Sequence, residues 1–150
     1  MQRLNRKVEY ALMALKVMAP KRQGELTTAK EIAESCGCPF DATARVLQTL
    51  AQCGILHSEQ GAYGGYQLRK DLSKLSFYEL TEVILGPVSA AKCLYGNEIC
   101  DLKSSCNIVS PMTLFNRKLA EFYQGLSVGE LLRVRERSPE RDEVRSEGLR

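Results

Sequence analysis

Apolar residues recur near the start of the chain at spacings of three and four: Leu4, Val8, Ala11, Leu12, Leu15 and Met18. That spacing draws one stripe on a helix and predicts it from about Asn5 to Met18, ending before Pro20. Thr28-Ala29-Lys30-Glu31 reads as a capping box. The helix it opens runs to about Ser35, turns Ile32 and Ala33 inward, and leaves Gly37 as the turn residue. A second helix follows from Phe40 or Asp41 to Gln52, entered through Pro39, with Val46, Leu47 and Leu50 on its buried side and Gly54 closing it. Period-two segments come next, Ile55 to Glu59 and Tyr66 to Leu68, around a turn containing Gly61, Gly64 and Gly65. Ser76-Phe77-Tyr78-Glu79 has capping-box spacing again and starts a helix carrying Leu80, Val83, Ile84 and Leu85, stopped by Gly86-Pro87. Met112, Leu114, Phe115, Leu119, Phe122 and Tyr123 mark an amphipathic helix from about Ser110 to Gln124. Ser127-Val128-Gly129-Glu130 then caps a short helix through Leu132.

Two short helices around a glycine-containing turn, followed directly by a glycine-tipped hairpin, are the layout of a winged helix. The fold class expected is therefore mainly α with a small β-hairpin wing. Residues 1–75 form the winged helix-turn-helix and 76–133 a cysteine-bearing loop and helices. The apolar face of the helix at 110–124 is wider than one small domain needs, which predicts a homodimer seam. Residues 134–150 are almost all charged or polar and are expected to be disordered.

The 150 residues suffice for one real core, and no apolar run approaches the roughly 20 residues a bilayer span requires. No membrane partner is expected. The six cysteines stand in a chain with no export signal, which predicts reduced thiols and a cytoplasmic location. A net charge of +3 is mild, so any role on nucleic acid has to come from local placement of Lys and Arg. Neither a substrate-pocket motif nor a paired acid–base set is visible, so neither an enzyme nor a small-molecule substrate is expected.

Cys93, Cys100 and Cys106 lie in one segment broken by Gly, Asn, Ser and charge. A loop does not bury three thiols as core residues, and an odd number cannot all pair as disulfides. A soft-ligand metal site, iron–sulfur or zinc, uses all three; a regulatory disulfide uses two. Cys36, Cys38 and Cys53 are expected to be small buried residues of the helix-turn-helix, although Cys36-Gly37-Cys38 also has the form of a redox pair. His57, the only histidine, belongs to a wing strand and is expected at the surface.

Taken together, these residues resemble the Rrf-type winged-helix transcriptional regulators, the family of the iron–sulfur sensors IscR and NsrR. The resemblance runs over about residues 2–133. It rests on Arg3-Leu4 and Tyr10-Ala11-Leu12, on Ile32-Ala33-Glu34, and on Leu50-Ala51-Gln52-Cys53-Gly54-Ile55-Leu56. It continues through Gly61, Gly64-Gly65-Tyr66, the three-cysteine loop, and Leu126-Ser127-Val128-Gly129-Glu130-Leu131-Leu132. Three positions depart from the family pattern. The first inter-cysteine gap is six residues where five is common, Gln60 stands where an Arg usually precedes the wing glycine, and Val109 stands where some members carry a histidine ligand.

The resemblance implies a dimeric DNA-binding regulator, a repressor responding to nitric oxide or redox stress, or alternatively a regulator of iron–sulfur assembly or iron homeostasis. A zinc-binding winged-helix regulator without redox sensing is the other reading. The resemblance makes Cys93, Cys100 and Cys106 the cluster ligands and puts Glu9, from the partner's first helix, in the fourth position. Asp101 and Glu98 compete with it. Three thiolates and a carboxylate favour [4Fe–4S] over [2Fe–2S]. On a palindromic double-stranded operator, Asp41, Thr43, Arg45, Gln48 and Thr49 are the base-reading candidates, Arg45 for guanine and Gln48 for adenine. Arg3, Lys7, Lys30, Arg69 and the backbone amides of Gly64 and Gly65 are the phosphate candidates.

Overall fold

A computed structural model describes residues 3–94 and 100–134. Helix α1 spans Arg6–Met18 and is capped by Asn5, whose side chain accepts from the Lys7 amide. Val8, Ala11, Ala14, Leu15 and Met18 are its buried face. Leu4 precedes the cap and is exposed, so the predicted stripe starts one turn later than its spacing indicated.

Helix α2, Ala29–Cys36, starts at a complete capping box: Thr28 accepts from the Glu31 amide, and the Glu31 carboxylate accepts from the Thr28 amide. It ends at Gly37, whose φ of 64° is the left-handed conformation that terminates helices. Helix α3, Phe40–Gln52, is entered through Pro39 and buries Thr43, Val46, Leu47 and Leu50. Strand β1, Leu56–Glu59, pairs antiparallel with β2, Gly65–Leu68, in the register Leu56 to Leu68 and Glu59 to Gly65. Thr27 adds a single-residue bridge on the far side of β2, exchanging two 2.9 Å backbone bonds with Tyr66.

A short 3-10 helix, Leu72–Lys74, leads to helix α4, Phe77–Leu85. Ser76 caps α4 as expected, but the Glu79 carboxylate accepts from Lys70 Nζ instead of closing a box. A further 3-10 turn at Lys92–Leu94 begins the cysteine segment. Helix α5, Val109–Gly125, follows it, and helix α6, Val128–Leu131, ends the fold.

Residues from both expected regions share one core. Leu15, Ile32, Leu47, Leu50, Ile55, Leu72, Leu75, Leu80 and Val128 form a single buried cluster. Phe77 donates its amide to the Leu126 carbonyl and Val128 donates to Leu75, each at 2.8 Å, which stitches the α5–α6 junction to the start of α4. Gly129 is part of the same fit: a Cβ there would stand 2.9 Å from the Ser73 nitrogen. Val134, expected in the disordered tail, packs against the core and donates its amide to the Gly129 carbonyl. The remainder of that tail, and Glu98, lie outside the described residues.

Helix α5 is held differently. Only Asn116 is buried on it, and its Oδ1 accepts the Ala90 amide at 2.7 Å. Tyr123 meets Phe77 of α4 edge to face at 4.8 Å between ring centres. Leu114, Phe115 and Phe122 stay exposed, Phe122 at 64%. No helix among the described residues is long and apolar enough to cross a membrane.

Candidate nucleic-acid interface and cysteine loop

Helix α3 presents its surface because its other side is fixed in the core. Asp41, Arg45 and Gln48 are exposed, at i, i+4 and i+7, and so share one face. Thr49 is half-buried beside them, its hydroxyl donating to the Arg45 carbonyl at 3.0 Å. Thr43 is a correction to the expected reading face. It is 1% exposed, packed with Val46 and Leu47, and its hydroxyl donates to the Pro39 carbonyl at 3.0 Å. It stabilises the first turn of α3, where Pro39 has no side-chain cap to offer.

The wing also differs from expectation. The Gly64 amide donates to the Gly61 carbonyl at 3.0 Å. Tyr66 directs its N–H and C=O toward Thr27, so its neighbours Gly65 and Gln67 direct theirs toward β1. The amides of Gly64 and Gly65 are therefore spent inside the hairpin and are not free donors for phosphate. Glycine is needed here for close packing. A Cβ at Gly64 would stand 2.3 Å from the Glu59 carbonyl oxygen, and one at Gly65 3.0 Å from that of Thr27.

Among the cationic candidates, Arg69 is exposed just beyond β2, with its backbone tied to the Ile55 carbonyl at 3.1 Å. Lys30 is exposed on the first turn of α2, 3.9 Å from Glu34. Lys7 is exposed on α1. Arg3 lies elsewhere, lining a cavity of about 420 Å³ with Leu85, Gly86 and Tyr123 at the α4–α5 end. His57 is half-exposed in β1, with Nε2 3.7 Å from Glu59.

All three loop thiols are unpaired: Cys93 is exposed, and Cys100 and Cys106 are half-buried. Three soft donors on one loop suit an iron–sulfur cluster or a thiophilic ion. Among the described residues, however, no three His, Cys, Asp or Glu side chains are gathered closely enough to hold a metal. The donor chemistry fits such a group. Glu9 is half-buried on α1, where its carboxylate accepts from Arg6 at 2.7 Å. Asp101 is exposed beside Cys100.

The helix-turn-helix cysteines are not the buried residues expected. Cys53 is exposed at the end of α3, and Cys36 and Cys38 are half-buried. The Cys38 thiol instead meets Met13 Sδ of α1 at 3.7 Å. That contact joins residues far apart in the chain, and periodicity carried no signal for it. The same holds for Lys70 with Glu79 and for Asn116 with Ala90.

Residues 4–134 match the family profile described as Rrf2, iron-dependent transcriptional regulator. The transcriptional regulator NsrR of Bacillus subtilis is 25% identical over 107 residues, covering 71% of this chain and 73% of that protein. In fold, the chain is similar to CymR, the global cysteine regulator of B. subtilis, with a TM-score of 0.68 at 20% identity over 91% of this chain and all of that one. It is also similar to T. potens IscR, with a TM-score of 0.63 at 19% identity, covering 88% of this chain and 87% of that one. Both solved structures carry the winged-helix fold seen here.

Proposed function

The chain belongs to the Rrf2 family of transcriptional regulators, and from that membership we propose a homodimeric repressor whose operator affinity depends on an iron–sulfur cluster at Cys93, Cys100 and Cys106. The observation that carries this reading is a placement: three unpaired thiols precede α5, and α5 has an apolar face that no described residue covers. Two copies joined along Leu114, Phe115 and Phe122 would set two α3 helices in fixed relation, as a palindromic operator requires.

In this reading Arg45 reaches a guanine edge in the major groove, Gln48 pairs with adenine, and Asp41 and Thr49 complete the face. Arg69, Lys30 and Lys7 neutralise phosphates. Arg3, at the α4–α5 end, is the remaining phosphate candidate. A bound cluster supplies a centre that reacts with nitric oxide or oxidants. Glu9 of the partner subunit would offer the fourth ligand, a hard oxygen donor that favours [4Fe–4S] with one labile corner. Its ion pair with Arg6 is exposed on the Arg6 side, and exchanging such a pair costs little. Cys93, Cys100 and Cys106 would hold the cluster next to α5, and the Phe77–Tyr123 contact joins α5 to α4 and so to the core that positions the recognition helix. Nitric oxide or redox stress is the proposed signal, with iron–sulfur assembly or iron supply the variant of the same chemistry.

A second reading is regulation without a cluster, by a zinc-binding winged-helix protein with no redox sensing; among the described residues no three such donors are gathered. Anaerobic purification with iron, sulfide and zinc analysis, followed by operator binding of apo and reconstituted protein across a salt titration, separates the two. About four irons per chain, as [4Fe–4S] ligation gives, together with a change in operator affinity between the two forms supports the sensor. Equal affinity of the two forms, or a colourless protein with zinc or no metal, overturns the cluster mechanism and leaves the DNA-binding fold standing.

A further inference from the structure

The sharp turn between α2 and α3 sets the Cys38 thiol against Met13 Sδ of α1, with the Cys36 thiol as its neighbour in the chain. Cys36 ends α2, Gly37 takes the left-handed turn, and the Cys38 amide donates to the Ala33 carbonyl at 2.9 Å, so the backbone of Cys36-Gly37-Cys38 is pinned. From that turn the Cys38 thiol points at Met13 Sδ, 3.7 Å away, and lies 3.7 Å from the Cys36 carbonyl oxygen. Metal–thiolate bonds of about 2.3 Å leave two sulfurs that share one trigonal or tetrahedral ion about 3.8–4.0 Å apart. The observed separation is close to that edge.

The surroundings suit a small thiophilic cation. Cys38 opens on a surface cavity of about 530 Å³, lined also by Lys30, Ala33, Glu34, Gly37 and Phe40. Its partial burial and the neighbouring Cys36 thiol hold its pKa above the usual thiol value, while the Arg6 guanidinium pulls the other way. Thioether and thiolate donors together select a soft ion, and a monovalent one suits a three-sulfur set. A Cys36–Cys38 disulfide makes no use of Met13, and a bridge across one residue is strained.

We propose that Met13, Cys36 and Cys38 form a binding site for cuprous ion, separate from the cysteine loop. On binding, the two thiols release their protons to solvent and no electron is transferred. The complex of two thiolates and one Cu⁺ carries a single negative charge, which Arg6 and Lys30 offset. The bound ion ties α1 to the residue just before Pro39, the entry to the recognition helix.

The test is a Cu(I) titration of the full chain against the chromogenic chelator bicinchoninate, with Cys93, Cys100 and Cys106 changed to Ser to silence the loop. One equivalent withheld from the chelator is expected. Adding Cys38→Ser is expected to weaken retention by more than the about 10–100-fold typical of changes behind a metal ligand. Met13→Leu, close in volume at a partly exposed position, should keep the fold and lose about tenfold in affinity. X-ray absorption should show sulfur-only ligation of the retained copper. No retained Cu(I) in the loop-silenced chain, retention unchanged by Cys38→Ser, or equal affinity in Met13→Leu would each overturn the site. Cluster content of the native chain is measured separately, so either proposal can fail alone.

Discussion

Thr43 and Arg45 lie two positions apart on α3 and have opposite fates. Thr43 buries its methyl in the core and returns its hydroxyl to the Pro39 carbonyl, while Arg45 stands in solvent. The apolar residues of α3 alone did not reveal this, because a threonine satisfied by its own backbone packs as an apolar residue does. Glu31 shows the reverse case, a polar residue whose role was legible from its offset to Thr28. Its carboxylate accepts from the Thr28 amide and then from the Thr28 hydroxyl, and both bonds hold its pKa below the ordinary value. A lowered folded-state pKa contributes stability that is present above the unfolded value, about 4.3, and is lost as pH falls through the folded one. Glu31→Gln is therefore expected to cost about 0.3–1 kcal/mol at neutral pH, the range of a charge at a helix N-terminus. In urea titrations the gap from wild type should close as pH drops below the carboxylate range. A gap constant from neutral pH to pH 2, beyond about half a unit of drift, would contradict that cause.

At the scale of elements, the recognition helix and the wing meet the duplex by different physics, and the proposed contacts separate them. Arg45→Ala removes a base contact and is expected to cost about 1–3 kcal/mol on the operator with little effect on unrelated DNA. Arg69→Ala removes a phosphate contact and should weaken both DNAs alike, lowering the slope of log K against log salt by about one. Fluorescence anisotropy on operator and scrambled duplexes at several salt concentrations reads both. Helix ends were the part most legible in the chain. The caps at Thr28, Ser76 and Ser127, the stop at Gly37 and the entry at Pro39 all rest on interactions within four residues. The wing was legible as a hairpin but not in its donors, since only the register and the Thr27 bridge show that the amides of Gly64 and Gly65 turn inward.

For the whole molecule, the open question of packing is α5. Among the described residues it packs against α4, with the Phe77–Tyr123 edge contact, the Asn116–Ala90 bond and the junction to α6, and one face is left outside those contacts. Its exposed Leu114, Phe115 and Phe122 then have to be covered by a second copy in the proposed dimer. Because Phe122 contributes little to the fold of one chain, Phe122→Glu should leave the helical circular dichroism intact. Each Phe burial is worth about 1.5–3 kcal/mol and a two-fold axis counts it twice, so the dimer dissociation constant should rise by about 100-fold or more. Sedimentation velocity at micromolar concentration measures it, and a variant still dimeric at wild-type affinity would move the seam off α5. Operator affinity should fall in parallel, since half-sites are read together.

The order of the elements, their caps, the glycine-tipped wing and the three-thiol loop are properties of short windows, and local spacing in the chain alone determined them. Hydrogen bonds within a turn and the periods of helix and strand act over a few residues, so a linear reading recovers them. The tertiary structure alone decided which polar residues face inward, that α4 and α6 share one core with the helix-turn-helix, and that Val134 belongs to it. It alone brought Met13 to Cys38 across two helices. These are outcomes of how elements pack, and packing joins positions whose distance along the chain carries no sign of their contact.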